Sequence, residues 1–166
     1  MNATTVRMSP IEILNAHRPD RPPVDVDQLA TTLGLIVIRQ RDLGSDIAGM
    51  IIRDRRRLSP SGFTIHVNAA DNARRQRFTV AHEIGHYVLH RDLIGDGVTD
   101  DALYRSSLGA WYERQANRMA ADVLMPAELV KQYYRRTRAL APLADAFDVS
   151  VDAMRIRVQE LGLDRP

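Results

Sequence analysis

Apolar positions recur along this chain in two rhythms. Ile11, Ile13 and Leu14 follow Ser9 at helical spacing, with Ser9 able to cap the first turn, and "RPDRPP" then stops the helix. "VDVDQLATTLGL" repeats the pattern, with Asp25 or Asp27 as cap and Gly34 as terminator. The rhythm then changes. "LIVI" (Leu35 to Ile38) reads as a strand, and "IAGMIIR" and "FTIHV" as two more, flanking the polar hairpin loop "DRRRLSPSG". Phe63, Ile65 and Val67 alternate with Thr64 and His66, which predicts one face in the core and the other polar or against the next helix. Together the strands predict a small antiparallel sheet, with "FTIHV" or "IAGMIIR" as an edge that an extended peptide could join.

Helical spacing returns from about Asp71 to His90. An irregular stretch, "RDLIGDGVTDDALYRSSLGA", follows, and then three or four helices over about 111–125, 126–136, 138–147 and 150–161. The expected fold class is α+β, a small antiparallel sheet packed on a mainly helical core. Residues 1–137 would form that core and 138–166 a helical pair packed on it, within one structural domain.

Composition narrows the chemistry. The 166 residues, 45% of them hydrophobic, suffice for one core. There is no cysteine, so thiolate ligands and disulfides are excluded and any metal must rest on imidazole and carboxylate. That suits a cytoplasmic protein. The N-terminal "MNATTVRMSPIEIL" has no secretory pattern, and no stretch approaches the roughly 20 apolar residues that span a bilayer, so no membrane role is expected. Net charge is only +2, which sets no strong pull toward nucleic acid.

The segment "FTVAHEIGHYVLH" holds three of the five histidines. Residues four apart on a helix differ by about 40° in azimuth and about 6 Å in height, so His82 and His86 project side by side and can share one ion. Glu83 can approach a water on that ion without being a ligand. This is the His-Glu-x-x-His zinc pattern, in which the glutamate is the general base. Gly85 beside them costs about 1 kcal/mol of helix propensity, which a close backbone approach would explain. His90 lies about 12 Å along the axis from His82, too far to share the ion, and is expected at the helix end or behind a ligand. In "WYERQANRMAADVLMP", Glu113, Ala116, Asn117, Ala120 and Leu124 share one stripe, so Glu113 is the candidate third ligand and Asn117 a hydrogen-bond partner for one. Asp92, Asp96, Asp100 and Asp101 are rivals for the third place. Tyr104, Arg105, Tyr112 and His90 are candidates for stabilising an oxyanion. Zinc suits this donor set, and manganese or iron would also be accommodated.

"RRQRFTVAHEIGHYVLH" followed by "ERQANRMAADVLMP", together with "IHVNAA" and "PPVDVDQLATTLGL", resembles the ImmA/IrrE family of metallopeptidases over most of the chain. The resemblance implies a zincin-like core of gluzincin type, with His82, His86 and Glu113 as zinc ligands and Glu83 as catalytic base. It also implies a metalloendopeptidase acting on a specific protein, typically a helix-turn-helix repressor in a stress response.

The tail offers a rival. Leu143, Ala144, Phe147 and Val149 are spaced like the first helix and turn of a helix-turn-helix, with Ser150 capping a second helix and Asp148 where glycine usually makes the turn. A DNA-binding regulator would use Ser150, Asp152, Arg155 and Arg157, yet Asp145, Asp148, Asp152 and Glu160 nearly cancel the local charge, which favours packing on the core over phosphate binding. "RDRRR" (Arg53 to Arg57) reads as a phosphate site or, preferably, a solvated hairpin tip. A third alternative is a zinc-dependent partner or antitoxin that binds another protein without cutting it. Oligomeric state has no signature in the sequence.

Overall fold

Ser9 closes a reciprocal cap on the first helix: its hydroxyl accepts from the Glu12 N–H at 3.4 Å, and the Glu12 carboxylate accepts from the Ser9 N–H at 2.6 Å. The computed structural model describes residues 8–44, 46–54, 56, 59–95 and 107–164, the side chains of 107 and 108 excepted. The elements run α1 (Pro10–Ala16), α2 (Val26–Thr32), β1 (Ile36–Gln40), β2 (Gly49–Arg53), β3 (Phe63–Asn68) and α3 (Ala73–His90). A 3-10 turn (Arg91–Leu93) then precedes α4 (Ser107–Leu124), α5 (Ala127–Tyr134), α6 (Leu140–Phe147) and α7 (Val151–Glu160). The fold is α+β and mainly helical, as expected. Asp25 caps α2, Asn72 caps α3 and Ser150 caps α7. α4 starts four residues before the predicted 111, because serine and glycine weaken the helical signature of its first turn.

The sheet order is β1-β3-β2. β2 and β3 pair antiparallel, Ile51 opposite Ile65, as their hairpin predicts. β1, however, joins β3 in parallel, Ile36 opposite Thr64, so the sheet is mixed rather than wholly antiparallel. The tight turn at Gly34 (φ +77°) sends β1 back from α2, which packs on α3, so helix docking sets the direction of β1. β3 is therefore the central strand and β2 an edge. Phe63, Ile65 and Val67 bury one face of β3 against α3, and Phe63 meets Tyr87 edge-on at 5.3 Å. The opposite face is also closed at Thr64 and Asn68, beyond what simple alternation implies.

One apolar cluster continues from the sheet through Ile84, Ala120 and Leu124 to Phe147 and Met154. α6 turns into α7 through Asp148, whose φ of 51° is the left-handed conformation anticipated for the glycine-like position. Its carboxylate is held by Arg74 (3.2 Å) and Arg77 (3.1 Å) of α3, a clamp that glycine could not supply. Arg157 of α7 is buried and donates to the Met125 carbonyl at 3.0 Å and to Asp122 at 2.6 Å. Among the described residues no helix is long and apolar enough to cross a membrane.

Candidate metal centre

α3 and α4 pack as antiparallel neighbours, and three donors converge where they cross. His82 and His86 lie one turn apart on α3, their Nε2 atoms 3.1 Å from one another. Glu113 reaches across from α4, with Oε2 3.2 Å from His82 Nε2 and Oε1 3.1 Å from His86 Nε2. All three donor atoms fall within 4.8 Å of one another. Ligand atoms held about 2.0–2.1 Å from a tetrahedral zinc lie about 3.3–3.4 Å apart; the two imidazole nitrogens stand close to that spacing, and the two Glu113 oxygens each reach a different histidine at a similar distance. The outward ring nitrogens are already engaged. His82 Nδ1 meets Asn117 Oδ1 at 2.9 Å, the contact expected of Asn117. His86 Nδ1 lies 3.1 Å from His90 Nδ1, and His90 Nε2 lies 2.8 Å from Gln115 Oε1. With Nδ1 of His82 donating to an amide oxygen, loss of the Nε2 proton that now bonds Glu113 would leave the Nε2 lone pair for an ion, which is the state a metal ligand needs.

Electrostatics follow this convergence. Hydrogen bonds from His82 and His86 hold the Glu113 carboxyl well below the usual carboxylate range, despite partial burial. Burial pulls His82 down, but its hydrogen bond to Glu113, the charges of Glu83 and Glu113, and Asn117 outweigh this and raise it. For His86 burial prevails and its pKa is lowered. Glu83 is 6% exposed, and burial lifts it from 4.5 to about 7; the charge of Glu113 adds to the rise, while His82 and the Ile51 N–H oppose it. A carboxyl poised near neutral pH can both take and release a proton.

Glu83 and His82 open onto a cleft of about 820 Å³, bordered by Gly49 of β2, Phe78 of α3 and Val151 of α7. Asn68 N–H bonds the Ala48 carbonyl and Asp54 N–H the Gly62 carbonyl, marking the hydrogen-bonded pairs of the β2–β3 ladder. By alternation the backbone groups of Gly49, Ile51 and Arg53 point away from β3. The Ile51 N–H is taken by Glu83 and the Arg53 N–H by the Gly95 carbonyl at 2.9 Å, which leaves Gly49 directed along the cleft.

The remaining candidates separate clearly. His90 stands behind His86 and outside the cluster, as helix geometry requires. Asp92 sits in the 3-10 turn and is not part of the cluster. Asp96, Asp100, Asp101, Tyr104 and Arg105 lie outside the described residues. Tyr112 packs its ring against His90 at 4.7 Å. Arg53 lies over the Phe63 ring, while Arg55 and Arg57 are outside the described residues. In the tail, Ser150 caps its helix and Arg157 is buried, while Arg155 and Asp152 pair with one another on the surface, which leaves no uncompensated arginine in the DNA-reading set. Gln115 and the Ile51 N–H were not among the sequence candidates. Only the antiparallel register of α3 and α4 could have indicated Gln115, and only the edge position of β2 the Ile51 N–H.

Fold and site together define a small, mainly helical α+β domain with a two-histidine, one-glutamate donor set suited to a metal ion. The chain belongs to the Peptidase M78 family, whose model, described as the IrrE N-terminal-like domain, matches residues 30–159. It is similar to the radiation response metalloprotease IrrE of Deinococcus radiodurans, at 39% identity over 100 residues, covering 57% of this chain and 30% of that protein. The radiation response metalloprotease IrrE of Deinococcus deserti is 40% identical over 97 residues, covering 55% of this chain and 34% of that protein. The chain thus spans about a third of the length of the curated relatives it matches. Among solved structures, a Mycobacterium tuberculosis transcriptional regulator shares the fold with a TM-score of 0.58 at 19% identity, over 81% of this chain and 39% of that one.

Proposed function

We propose that this chain is a zinc-dependent metalloendopeptidase that cuts a specific protein, a helix-turn-helix repressor, in the cytoplasm. His82, His86 and Glu113 hold the ion, and Glu83 is the base. The observation that carries the reading is the convergence of three donors from two helices within 4.8 Å of one another, beside a buried glutamate that shares a cleft with His82. Membership of a peptidase family supports the reaction class.

A zinc ion bound there supplies a Lewis acid toward the scissile carbonyl and lowers the pKa of water toward about 7. Glu83 accepts the proton of the attacking water and returns it to the departing amine, so that the C–N bond is replaced by an acid and an amine. Burial raises its pKa to about 7 in the metal-free chain, and its place beside His82 on the cleft supports the assignment as base. Asn117 keeps the His82 ring turned toward the ion. The substrate backbone meets the edge of β2 at Gly49, because β3 is central and, among the described strands, β2 borders the cleft there. In this reading residues 1–137 carry the chemistry, and the helical pair of 138–166 walls the cleft through Val149, Ser150 and Val151.

The test is to incubate the purified, metal-loaded chain with repressors encoded beside its gene, with and without chelator, and to measure masses. Two fragments that sum to one repressor plus water, formed only without chelator, are expected. A stable complex with no fragments would replace cleavage by binding. Metal analysis of the same sample distinguishes zinc from manganese or iron.

A further inference from the structure

His90 is a buried histidine that the proposed reaction does not use. It lies one turn beyond His86, its ring packed against the edge of Tyr112. Both of its nitrogens have defined partners: Nδ1 is 3.1 Å from His86 Nδ1, and Nε2 is 2.8 Å from Gln115 Oε1.

We propose that His90 is a positioning residue that fixes which nitrogen of His86 faces the metal, through a proton order dictated by Gln115. The inference rests on the reading of His86 as a metal ligand. An amide oxygen only accepts, so the single proton of a neutral His90 ring sits on Nε2 and is donated to Gln115. His90 Nδ1 then carries a lone pair. Two ring nitrogens 3.1 Å apart need one proton between them, so His86 Nδ1 bears the hydrogen and donates it to His90. With an ion in place of the proton that His86 Nε2 shares with Glu113 in the metal-free chain, Nε2 is the nitrogen left to offer its lone pair, on the side of Glu113 and His82. The order runs one way, from His86 through His90 to Gln115, and locks both the tautomer and the plane of the ligand ring.

Metal-bound histidines commonly donate this second proton to a carboxylate, a carbonyl or water. Here the acceptor is a ring nitrogen, His90 Nδ1, which orients the His86 ring as a carboxylate would.

The chain in full length, loaded with zinc, provides the test. In His90→Asn the side-chain oxygen occupies nearly the place of Nδ1 and keeps an acceptor for His86, while the ring and its packing are lost. His90→Phe keeps the ring and loses the acceptor. Zinc affinity, measured by competition with a chromogenic chelator, is expected to fall roughly 10–100-fold in His90→Phe and to be largely retained in His90→Asn. A residue that serves only packing gives the reverse order, and that result overturns the proposal. Imidazole nitrogen NMR of the zinc-loaded wild type adds an independent reading: His90 protonated at Nε2 and bare at Nδ1 is expected, and the opposite tautomer or a doubly protonated ring overturns it. If the wild type binds no zinc, the metal centre itself falls and the inference with it. One zinc per chain with the reversed variant order removes only the role of His90.

Discussion

Gly85 of α3 lies directly on the main chain of Ala116 of α4. A methyl group at residue 85 would stand 3.0 Å from the Ala116 carbonyl oxygen, 3.1 Å from its Cα and 3.2 Å from Met119 Cβ. This contact sets the distance between the two helices, and with it the reach of Glu113, three residues before Ala116, to the two histidines. Gly85→Ala is therefore expected to push α4 outward and destabilise the chain by about 1–3 kcal/mol, beyond any gain in helix propensity. Zinc affinity should fall with it, and thermal unfolding and metal titration of one sample check both. Unchanged affinity would mean that helix spacing does not control the site.

Glu113→Ala removes the carboxylate that closes the donor set. Zinc bound per purified chain should drop well below one after dialysis, whereas full stoichiometry would assign the third ligand elsewhere. The metal-free variant should also lose the support that ties α4 to His82 and His86.

Glu83→Gln should keep zinc and lose peptide hydrolysis by about 10²–10⁴-fold, the usual contribution of a general base. Retained turnover would remove Glu83 from that role.

The same residue makes a prediction about pH. Its folded-state pKa of about 7 lies above the ordinary 4.5, so between these values the metal-free folded chain holds a proton that the unfolded chain has released. Stability must then fall as pH rises through this window. At about 1.4 kcal/mol per unit the Glu83 contribution is on the order of 3 kcal/mol. With chelator present, the advantage of Glu83→Gln over wild type should grow from pH 4.5 to 7 and level off above. Denaturant midpoints across that range measure it, and a flat difference would refute the burial of a costly charge.

Arg157 separates the two readings of the tail. As a buried tie between α7, the Met125 carbonyl and Asp122, its replacement by alanine should lower stability by about 2–3 kcal/mol. DNA retention by wild type should be negligible at physiological salt. Normal stability in Arg157→Ala, together with loss of a salt-dependent DNA complex, would restore the DNA-binding regulator.

What could be read from the chain alone was whatever depends on short-range geometry. The four-residue spacing of His82 and His86, the caps at Ser9 and Ser150, the choice of Asp25 or Asp27 as the cap of α2, the β2–β3 hairpin and the left-handed turn at Asp148 each follow from a few neighbouring residues. The stripe holding Glu113 and Asn117 was visible for the same reason, since a helix repeats every 3.6 residues. Packing decided the rest. The parallel direction of β1 depends on where α2 docks, the burial of Arg157 on how α7 meets the α4–α5 junction, and the His86–His90–Gln115 line on the register of two helices joined by a long connection. Local periodicity orients a side chain about its own axis. It carries no information on how far one axis slides along another, and here that slide is set where Gly85 meets Ala116.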